Sequence, residues 1–446
     1  MGAACLIALS VAEGGAPSMD FLRWSAPSLA DSSEGAAKPA PPIPIVRSLT
    51  RSPLVETPEL ALAAPIDAGS AAKATQAEAV EPKAWTLPSS LIDASSAEAR
   101  DGRLIQSLED ETEIELTLEP DLQAAAKEIL ARYQVEHGSI VALDPVTGEL
   151  LAYAEHAEGK PGLRHLPVQA NGPAASIFKM VTATALLEAG IGPESEICTR
   201  GGLRKLTLNH LRADAKRDTR CESLKEAFGA STNAAFARWA DQKLDAATLN
   251  EVAGRFLFGR RIPFVYGVGV SAPVLPGGSR LGFARAAAGF SRTSLSPLHA
   301  AMMAGAVANG GKMMAPRLVR RASKGSEVLY EAATAELARV MEPNVAAALT
   351  EVMLSTTTTG TAKKFFIKNG KEHIPGISLA AKTGHLSGGD GLHGHYSWFV
   401  AFAPAEQPEV ALAALVVNGE VWTTKGAVLA RRFLSHYFNK KERAAH

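Results

Sequence analysis

The most regular hydrophobic pattern of the chain lies between residues 174 and 190, where apolar side chains recur at helical spacing. Its main apolar members are Ile177, Phe178, Met180, Val181, Leu186 and Leu187. Pro173 suits the start of a helix and Gly190 its end, so the stretch predicts one helix. Residues 223–229 and 234–243 are also helical in pattern and predict two more.

Strand-like runs occur on either side of these helices. Residues 139–153 and 377–417 contain short apolar runs, and the Pro-Val-Thr-Gly segment at 145–148 is favourable chemistry for a hairpin turn. Residues 377–381 and 396–404 read as adjacent strands. Strands at both ends with helices between them predict a mixed α/β (α+β) fold.

The N-terminal region lacks a sustained period. Residues 27–99 are dominated by Ala, Pro, Ser and Glu and predict an extended linker. Residues 3–12 are apolar but too short to span a bilayer, and no basic segment precedes them, so we interpret them as the remains of a signal or anchor. We therefore predict two parts: 1–110, an apolar stub and a largely disordered linker, and 111–440, the folded domain.

Composition and charge narrow the classes of function. The chain has 446 residues and 46% hydrophobic content, enough for a large core. Its formal net charge is zero. That balance gives no support for nucleic acid as a partner, because a phosphate-binding surface needs an excess of basic residues.

Three short motifs carry candidate chemistry: Ser-Ile-Phe-Lys at 176–179, Ser-Thr-Asn at 231–233 and Lys-Thr-Gly at 382–384. On a helix, the spacing of Ser176 and Lys179 puts both side chains on one face. A serine hydroxyl is a weak nucleophile, and a lysine can take its proton only when burial and nearby positive charge lower the lysine pKa. A helix N-terminus also favours a developing anion.

The other two motifs are less specific alone. The Ser-Thr-Asn turn lies between two predicted helices, where small polar residues can also be plain capping groups. Lys382 follows an apolar run and is expected on an inner strand. Burying a lysine there costs free energy unless a charged group pairs with it.

The three motifs, in this order, resemble those of the penicillin-binding protein transpeptidases. The resemblance extends from about Ile114 to the C-terminus, through residues 117–123, 138–149, 293–311, 360–362 and 398–404. It implies a mainly antiparallel five-stranded sheet packed by helices, beside an all-helical subdomain that carries Ser176 and Ser231. The active site is expected in the cleft between them.

The resemblance also implies roles for the matched residues. Ser176 would attack the D-Ala-D-Ala bond of a peptidoglycan stem peptide, and Lys179 would accept its proton. Ser231 would relay a proton to the leaving D-alanine, and Lys382 would keep Lys179 neutral. No cofactor is expected.

Four further residues would bind the substrate. Asn233 would hydrogen-bond its amide backbone, and Thr383 of the Lys-Thr-Gly motif, which ends at Gly384, would face its carboxylate with Lys382. The backbone N–H groups of Ser176 and His385 would form the oxyanion hole. His385 replaces a threonine or serine that is usual in the family, and an imidazole there would change charge near pH about 6.5.

Two local features leave alternatives open. His385, His393 and His395 could form a metal site, but only Asp390 lies near them in sequence, so we favour a solvated loop and predict no metal. Cys198 and Cys221 flank a basic stretch, and we predict a disulfide over two unrelated buried thiols. The basic stretch is either a solvated face or a surface for an acidic polymer.

Three functions remain as hypotheses. The favoured one is a D,D-transpeptidase of the periplasmic cell envelope that is tethered by its N-terminus, binds β-lactam antibiotics and has some D,D-carboxypeptidase activity. The second is a β-lactamase or β-lactam sensor, although no motif identifies a base for deacylation. The third is a catalytically silent envelope scaffold. The residues before Thr117 cannot hold a glycosyltransferase domain, so a separate glycosyltransferase is the expected partner.

Overall fold

The computed structural model describes residues 89–157, 165–202, 205–273, 278–291, 293–388 and 394–445. The strands are β1 (Glu98–Arg100), β2 (Arg103–Ser107), β3 (Thr112–Leu116), β4 (His137–Leu143), β5 (Leu150–Ala157), β6 (Gly172–Pro173), β7 (Glu196–Thr199), β8 (Arg220–Ser223), β9 (Ser294–Leu295), β10 (Lys312–Met314), β11 (Val319–Lys324), β12 (Glu327–Glu331), β13 (Glu336–Arg339), β14 (Ile367–Lys368), β15 (Lys371–Glu372), β16 (Ala380–Ser387), β17 (His395–Ala403) and β18 (Val410–Asn418).

The helices are α1 (Pro120–Arg132), α2 (Lys179–Glu188), α3 (Leu208–Leu211), α4 (Leu224–Gly229), α5 (Asn233–Lys243), α6 (Ala246–Arg255), α7 (Arg280–Ala287), α8 (Pro297–Ala308), α9 (Pro343–Thr358), α10 (Lys363–Phe366) and α11 (Gly426–Ala445). Within the described residues, no helix is both long enough and apolar enough to cross a membrane. The apolar stub at 3–12 and nearly all of the predicted linker lie outside the described residues.

The central sheet has five strands in the order β16-β17-β18-β4-β5, and every neighbouring pair is antiparallel. The predicted five-stranded antiparallel sheet is therefore confirmed. Strand β18 is buried along its whole length because helices cover both faces of the sheet. Alternate residues of the sheet join two separate cores, one that includes α8 and one that includes α1 and α11. Such double coverage explains continuous apolar strand runs without polar alternation.

Helix α8 packs closely on the sheet because its sequence is rich in small residues. At Gly305, an added Cβ atom would lie 3.0 Å from Leu143 Cδ1, so a larger residue would require the Leu143 side chain to shift. Ser296 caps α8 by accepting the backbone N–H of His299 at 3.2 Å.

A second five-stranded sheet, in the order β1-β2-β3-β11-β12, was not predicted. The proposed boundary between residues 110 and 111 falls inside it, between β2 and β3. Strands β1 and β2 therefore belong to the folded region, not to the linker. The sequence gives little sign of these two strands because they are short and charged: β1 is exposed throughout, and β2 buries only Leu104 and Gln106.

Helices α2, α4 and α5 form the helical region next to the sheet. The predicted helices at 223–229 and 234–243 agree with α4 and α5 within one residue at the start. A capping box begins α4: Glu226 N–H donates to Ser223 Oγ, and the Glu226 carboxylate accepts the Ser223 N–H.

Candidate active site

Ser176 lies on a 3-10 turn, Ala175–Phe178, that leads directly into α2. The predicted helix therefore begins with a tighter turn than expected. Ala175 has a φ of 49°, in the left-handed region that costs energy for a residue with a Cβ atom. Its neighbours on the turn are buried, whereas Ser176 is only half-buried. The turn thus presents this one hydroxyl to the cleft.

Lys179 is fully buried, and its ammonium nitrogen meets three oxygen atoms. Nζ lies 3.0 Å from Ser176 Oγ, 2.7 Å from Asn233 Oδ1 and 2.7 Å from the Ala288 carbonyl oxygen. Burial, and then the charge of Lys382, hold the pKa of Lys179 well below its usual value of 10.5. A neutral amine within hydrogen-bond distance of the serine is suited to accept its proton.

Lys382 lies on β16, which is an edge strand of the central sheet and not an inner one as predicted. Its side chain is nonetheless fully buried, and desolvation lowers its pKa to about 7. The sequence predicted a charged partner for this lysine, but among the described residues no carboxylate pairs with it. Instead, Nζ lies 5.1 Å from the centre of the Phe228 ring and donates to the Thr383 carbonyl at 3.1 Å.

Ser231 lies in the turn between α4 and α5, with a left-handed φ of 58°. On one side of it is Phe228, whose ring contacts Lys382 and whose carbonyl accepts the Ser231 N–H at 3.0 Å. On the other side is Asn233, which contacts Lys179. The Ser-Thr-Asn turn therefore joins the surroundings of the two lysines.

Buried contacts fix the turn and the Lys-Thr-Gly segment in place. Thr232 donates to the buried carboxylate of Glu222 at 2.9 Å. The Thr383 hydroxyl lies 2.6 Å from that of Thr361 and is buried, so here it holds β16 against the segment after α9. An added Cβ atom at Gly384 would lie 3.1 Å from Ile177 Cγ1, so glycine lets β16 pass close to the Ser176 turn without displacing that side chain.

His385 is exposed at the mouth of the cleft, between Ser397 and Trp422. Its Nε2 atom lies 3.2 Å from Ser397 Oγ, and its ring centre lies 5.9 Å from that of Trp422. The pKa of His385 falls to about 4, first through desolvation and then through the charges of Lys425, Lys382 and Lys364. A shift in this direction predicts an imidazole that is neutral at pH 7 and gains its proton below the pH of about 6.5 expected from the sequence.

A cleft of about 280 Å³ brings these elements together. It is lined by Ser176, Asn233, Ala288, Gly289, Phe290, His385, Leu386, Ser387 and Trp422. The sequence motifs contain two of these residues, Ser176 and Asn233, and His385 directly follows the third motif. The Ala288 carbonyl and Trp422 were missed, since a backbone acceptor leaves no sequence signal and Trp422 lies outside every motif.

The histidines do not form a metal site in the described part of the chain, where no cluster of three or more metal-binding side chains occurs. His395 instead stacks on Trp422 with ring centres 5.1 Å apart, and its Nδ1 lies 2.7 Å from Ser387 Oγ. His393 and Asp390 lie outside the described residues.

Cys198 and Cys221 face each other on β7 and β8 and are joined through their sulfur atoms. The intervening segment packs on α5 through buried Arg238, which donates to the Cys198 and His210 carbonyls and to the Asp218 carboxylate. These bonds, with those of Arg200, hold the pKa of Asp218 far below its usual value. Arg200 of the basic stretch is therefore ion-paired, and not part of a free cationic face.

Comparisons with known proteins agree with this geometry. Residues 138–436 match the family model for the penicillin binding protein transpeptidase domain. Peptidoglycan D,D-transpeptidase PbpA of Mycobacterium tuberculosis (strain CDC 1551 / Oshkosh) is 31% identical over 357 residues, covering 71% of this chain and 70% of the relative.

Two solved structures are also similar. The D,D-transpeptidase domain of a peptidoglycan glycosyltransferase from Eggerthella lenta has a TM-score of 0.61 at 26% identity, covering 74% of this chain and 83% of that one. The penicillin G acyl-enzyme complex of penicillin-binding protein A from M. tuberculosis has a TM-score of 0.58 at 25% identity, covering 73% and 80%. The chain belongs to the penicillin binding protein transpeptidase domain family.

Proposed function

We propose that this protein is a serine D,D-transpeptidase that acts on D-Ala-D-Ala stem peptides of peptidoglycan through an acyl-enzyme on Ser176. The observation that carries the proposal is the contact between Lys179 Nζ and Ser176 Oγ at 3.0 Å, made by a buried amine whose pKa is strongly lowered. This pairing gives the hydroxyl a general base at neutral pH.

In the acylation step, Ser176 Oγ attacks the carbonyl carbon between the two D-alanines while its proton passes to Lys179 Nζ. The backbone N–H groups of Ser176 and His385 stabilise the oxyanion, at about 3 kcal/mol per donor. The intermediate collapses when the peptide C–N bond breaks, and the departing nitrogen takes a proton through Ser231. Asn233 and the Lys-Thr-Gly segment, Lys382 to Gly384, hold the donor peptide.

In the second step, the amine of a neighbouring stem peptide attacks the ester and forms a cross-link, with release of Ser176. When water replaces the amine, the outcome is D,D-carboxypeptidase activity. The described residues that line the cleft include no carboxylate. A β-lactamase needs a base to activate water, so this lining favours the transpeptidase over the second candidate function.

β-Lactam antibiotics are expected to acylate the same serine. The relative from M. tuberculosis has been seen as a penicillin G acyl-enzyme. The lactam C–N bond would break, and the ring nitrogen would stay attached to the bound acyl group, which slows its replacement by an amine or water.

Incubation with fluorescent penicillin tests the proposal directly. We expect one label per chain, located on Ser176 by mass spectrometry, stable over hours, and absent from a Ser176→Ala variant that keeps the wild-type melting temperature. Rapid loss of the label would favour a β-lactamase or sensor. No labelling of the folded wild type would favour the catalytically silent scaffold.

The setting of the enzyme is part of the same proposal. We infer a transpeptidase domain on the periplasmic side of the envelope, preceded by an N-terminal linker that tethers it, and a separate glycosyltransferase that supplies the glycan strands. Fractionation of cells that produce the full chain tests this, since the proposal predicts recovery with envelope membranes and loss of that association when residues 1–88 are deleted.

A further inference from the structure

This inference rests on the proposed function and concerns what holds the Ser-Thr-Asn turn in place. Ser231 has a left-handed φ of 58°, which persists only where the surrounding contacts fix it. Its N–H donates to the Phe228 carbonyl at 3.0 Å. The Thr232 N–H donates to the Ala227 carbonyl at 2.8 Å. Both bonds are local, so they set the shape of the turn but not its position in the site.

Thr232, the middle residue of the turn, makes a contact with a more distant residue. It stands at the N-cap position of α5, where a threonine hydroxyl commonly accepts a backbone N–H from the first helical turn. Within the described part of the chain, the Thr232 hydroxyl makes no such bond. It donates instead to the carboxylate of Glu222, ten residues away in sequence, at 2.9 Å. Both side chains are buried, so the start of α5 is bound to β8 inside the protein.

Glu222 is an unusual acceptor because it is a buried carboxylate with few partners. Its Oε1 atom accepts both the Thr232 hydroxyl and the guanidinium of Arg220, the latter at 2.7 Å. Its Oε2 atom has no hydrogen-bond partner among the described residues. Burying a carboxylate costs free energy, and an apolar side chain of similar size in such a place often leaves a fold equally or more stable. The carboxylate is therefore better explained by the geometry that it imposes on the turn.

The strand that carries Glu222 is firmly supported. Strand β8 pairs with β7, and the residue before Glu222, Cys221, is joined to Cys198 on β7. The residue after Glu222, Ser223, begins α4 with the capping box. The carboxylate is thus fixed from both sides along the chain, and it can hold Thr232 against displacement.

The two residues next to Thr232 are those that act in the proposed reaction. Asn233 Oδ1 lies 2.7 Å from Lys179 Nζ, and Ser231 passes a proton to the leaving nitrogen. Because neighbouring residues share rigid peptide planes, a shift of Thr232 displaces both of them. A displacement of about 1 Å that begins away from the reacting atoms can lower a rate about 100-fold.

We propose that Glu222 is a positioning residue of the transpeptidase: its carboxylate holds the Thr232 hydroxyl and thereby keeps Ser231 and Asn233 in place for acylation. No step of the reaction passes through Glu222 itself. The sequence did not identify this residue, because it lies outside the three motifs.

The first test measures second-order rate constants for acylation by fluorescent penicillin. Thr232→Val and Glu222→Ala each remove the contact, and we expect each to lower the rate about 10-fold to 100-fold, as for the loss of a hydrogen bond to a charged group. The double variant should be little slower than either single variant, since both changes remove the same bond. Fully additive losses, or normal rates in both folded single variants, would overturn the proposal.

Conservative variants separate this contact from a general loss of packing. Thr232→Ser keeps the hydroxyl. Glu222→Gln keeps one oxygen that can accept both donors, and its amide nitrogen takes the place of the oxygen that has no partner. We expect both variants to react within about threefold of the wild type. A Glu222→Gln protein as slow as Glu222→Ala would contradict the proposed contact.

Ser296→Ala is the matched control for lost stability. It removes the cap of α8 rather than a contact of the turn, so it should lower the melting temperature. Its acylation rate, measured where the protein is still folded, should remain that of the wild type. A fall in its rate as large as that of Glu222→Ala would show that stability alone governs acylation, against the role given to Glu222.

A comparison of leaving groups tests whether the effect passes through the turn. When Ser176 Oγ attacks a penicillin, the C–N bond breaks and the nitrogen needs the proton that Ser231 supplies. When it attacks an N-acyl-D-alanyl thioglycolate, the C–S bond breaks and the sulfur can leave as a thiolate. We expect Glu222→Ala to slow the penicillin reaction at least about threefold more than the thioester reaction.

The outcomes of this comparison are distinct. An equal fall with both substrates would indicate a general loss of the site and would sink the inference. If the wild type reacts with both substrates and the Glu222 and Thr232 variants match it, the inference fails and the proposed function stands. If the folded wild type reacts with neither substrate, the proposed function itself fails.

Discussion

At the scale of single residues, the site depends on two buried amines. Lys179 and Lys382 are both fully buried, and desolvation is the largest cause of the lowered pKa at each. Burying a lysine ammonium away from water costs free energy. No carboxylate offsets that cost here, since the neighbours of the two lysines are carbonyl, amide, hydroxyl and aromatic groups. The chain thus loses some stability and gains amines that release their protons more readily than an exposed lysine does.

Replacing Lys179 with Met should slow acylation by several orders of magnitude, because the proton acceptor for Ser176 is lost. The fold should persist, since Met fills most of the same apolar space. The measurement is the rate of labelling by fluorescent penicillin, beside a melting curve. Near-normal labelling of the folded variant would exclude Lys179 as the base.

Replacing Lys382 with Met should stabilise the fold while it impairs acylation. The folded-state pKa of about 7 lies below the value of 10.5 for an exposed lysine, so the unfolded chain binds the additional proton. Folding is therefore disfavoured at all pH values below about 10, and the penalty at pH 7 is a few kcal/mol. We expect denaturant unfolding at pH 7 to show a gain of about 1–3 kcal/mol. A clear loss of stability would contradict this account of the site.

At the scale of elements, the sequence predicted the parts that motifs and periodicity encode. The order of the three motifs identified the residues that converge around Lys179 and Lys382, and the predicted helices agree with α2, α4 and α5. The sequence did not predict β1 and β2, because their few buried residues give no clear alternation of apolar and polar positions. It also did not predict the edge position of β16, because that position depends on which distant strands pair in the sheet. The lowered pKa of His385 also depends on desolvation and on lysines that only folding brings together.

The disulfide that joins strands β7 and β8 of this hairpin can be tested. Its two cysteines are 23 residues apart in sequence, and the segment between them docks on α5, the helix that begins at Asn233. We predict that the exported protein carries this disulfide and that Cys198→Ser with Cys221→Ser lowers the free energy of unfolding by about 3 kcal/mol.

Cys5→Ser is the matched control for the disulfide, since it removes a thiol outside the hairpin. Unfolding curves with and without reductant should differ for the wild type and for this control but coincide for the double variant. Recovery of two free thiols from the non-reduced exported protein would reject the disulfide.

At the scale of the whole molecule, one buried histidine links stability to pH. His299 of α8 lies fully within the core, and its Nε2 contacts the Phe256 carbonyl at 2.6 Å. Burial lowers its pKa from 6.5 to about 4, so the folded protein holds it neutral while the unfolded chain takes up a proton as the pH falls. Stability is therefore full above pH 6.5 and declines toward pH 4.

We expect the decline linked to His299 to reach about 3 kcal/mol between pH 6.5 and 4. His299→Gln keeps a donor for the Phe256 carbonyl but cannot ionise, so its unfolding free energy should fall less over this range. His165→Gln, at an exposed position, serves as the control. Parallel pH profiles for the wild type and His299→Gln would show that other groups govern acid sensitivity.

The edge position of β16 has one more consequence. An unpaired strand edge can accept any extended chain, including the same edge of a second copy of the enzyme, and so carries a risk of self-association. Lys364 and Lys425 near this edge would repel their counterparts in such a pair, whereas a peptide that ends in a carboxylate would be attracted. The charge on these two lysines therefore favours a peptide that ends in a carboxylate over a second copy of the enzyme at this edge.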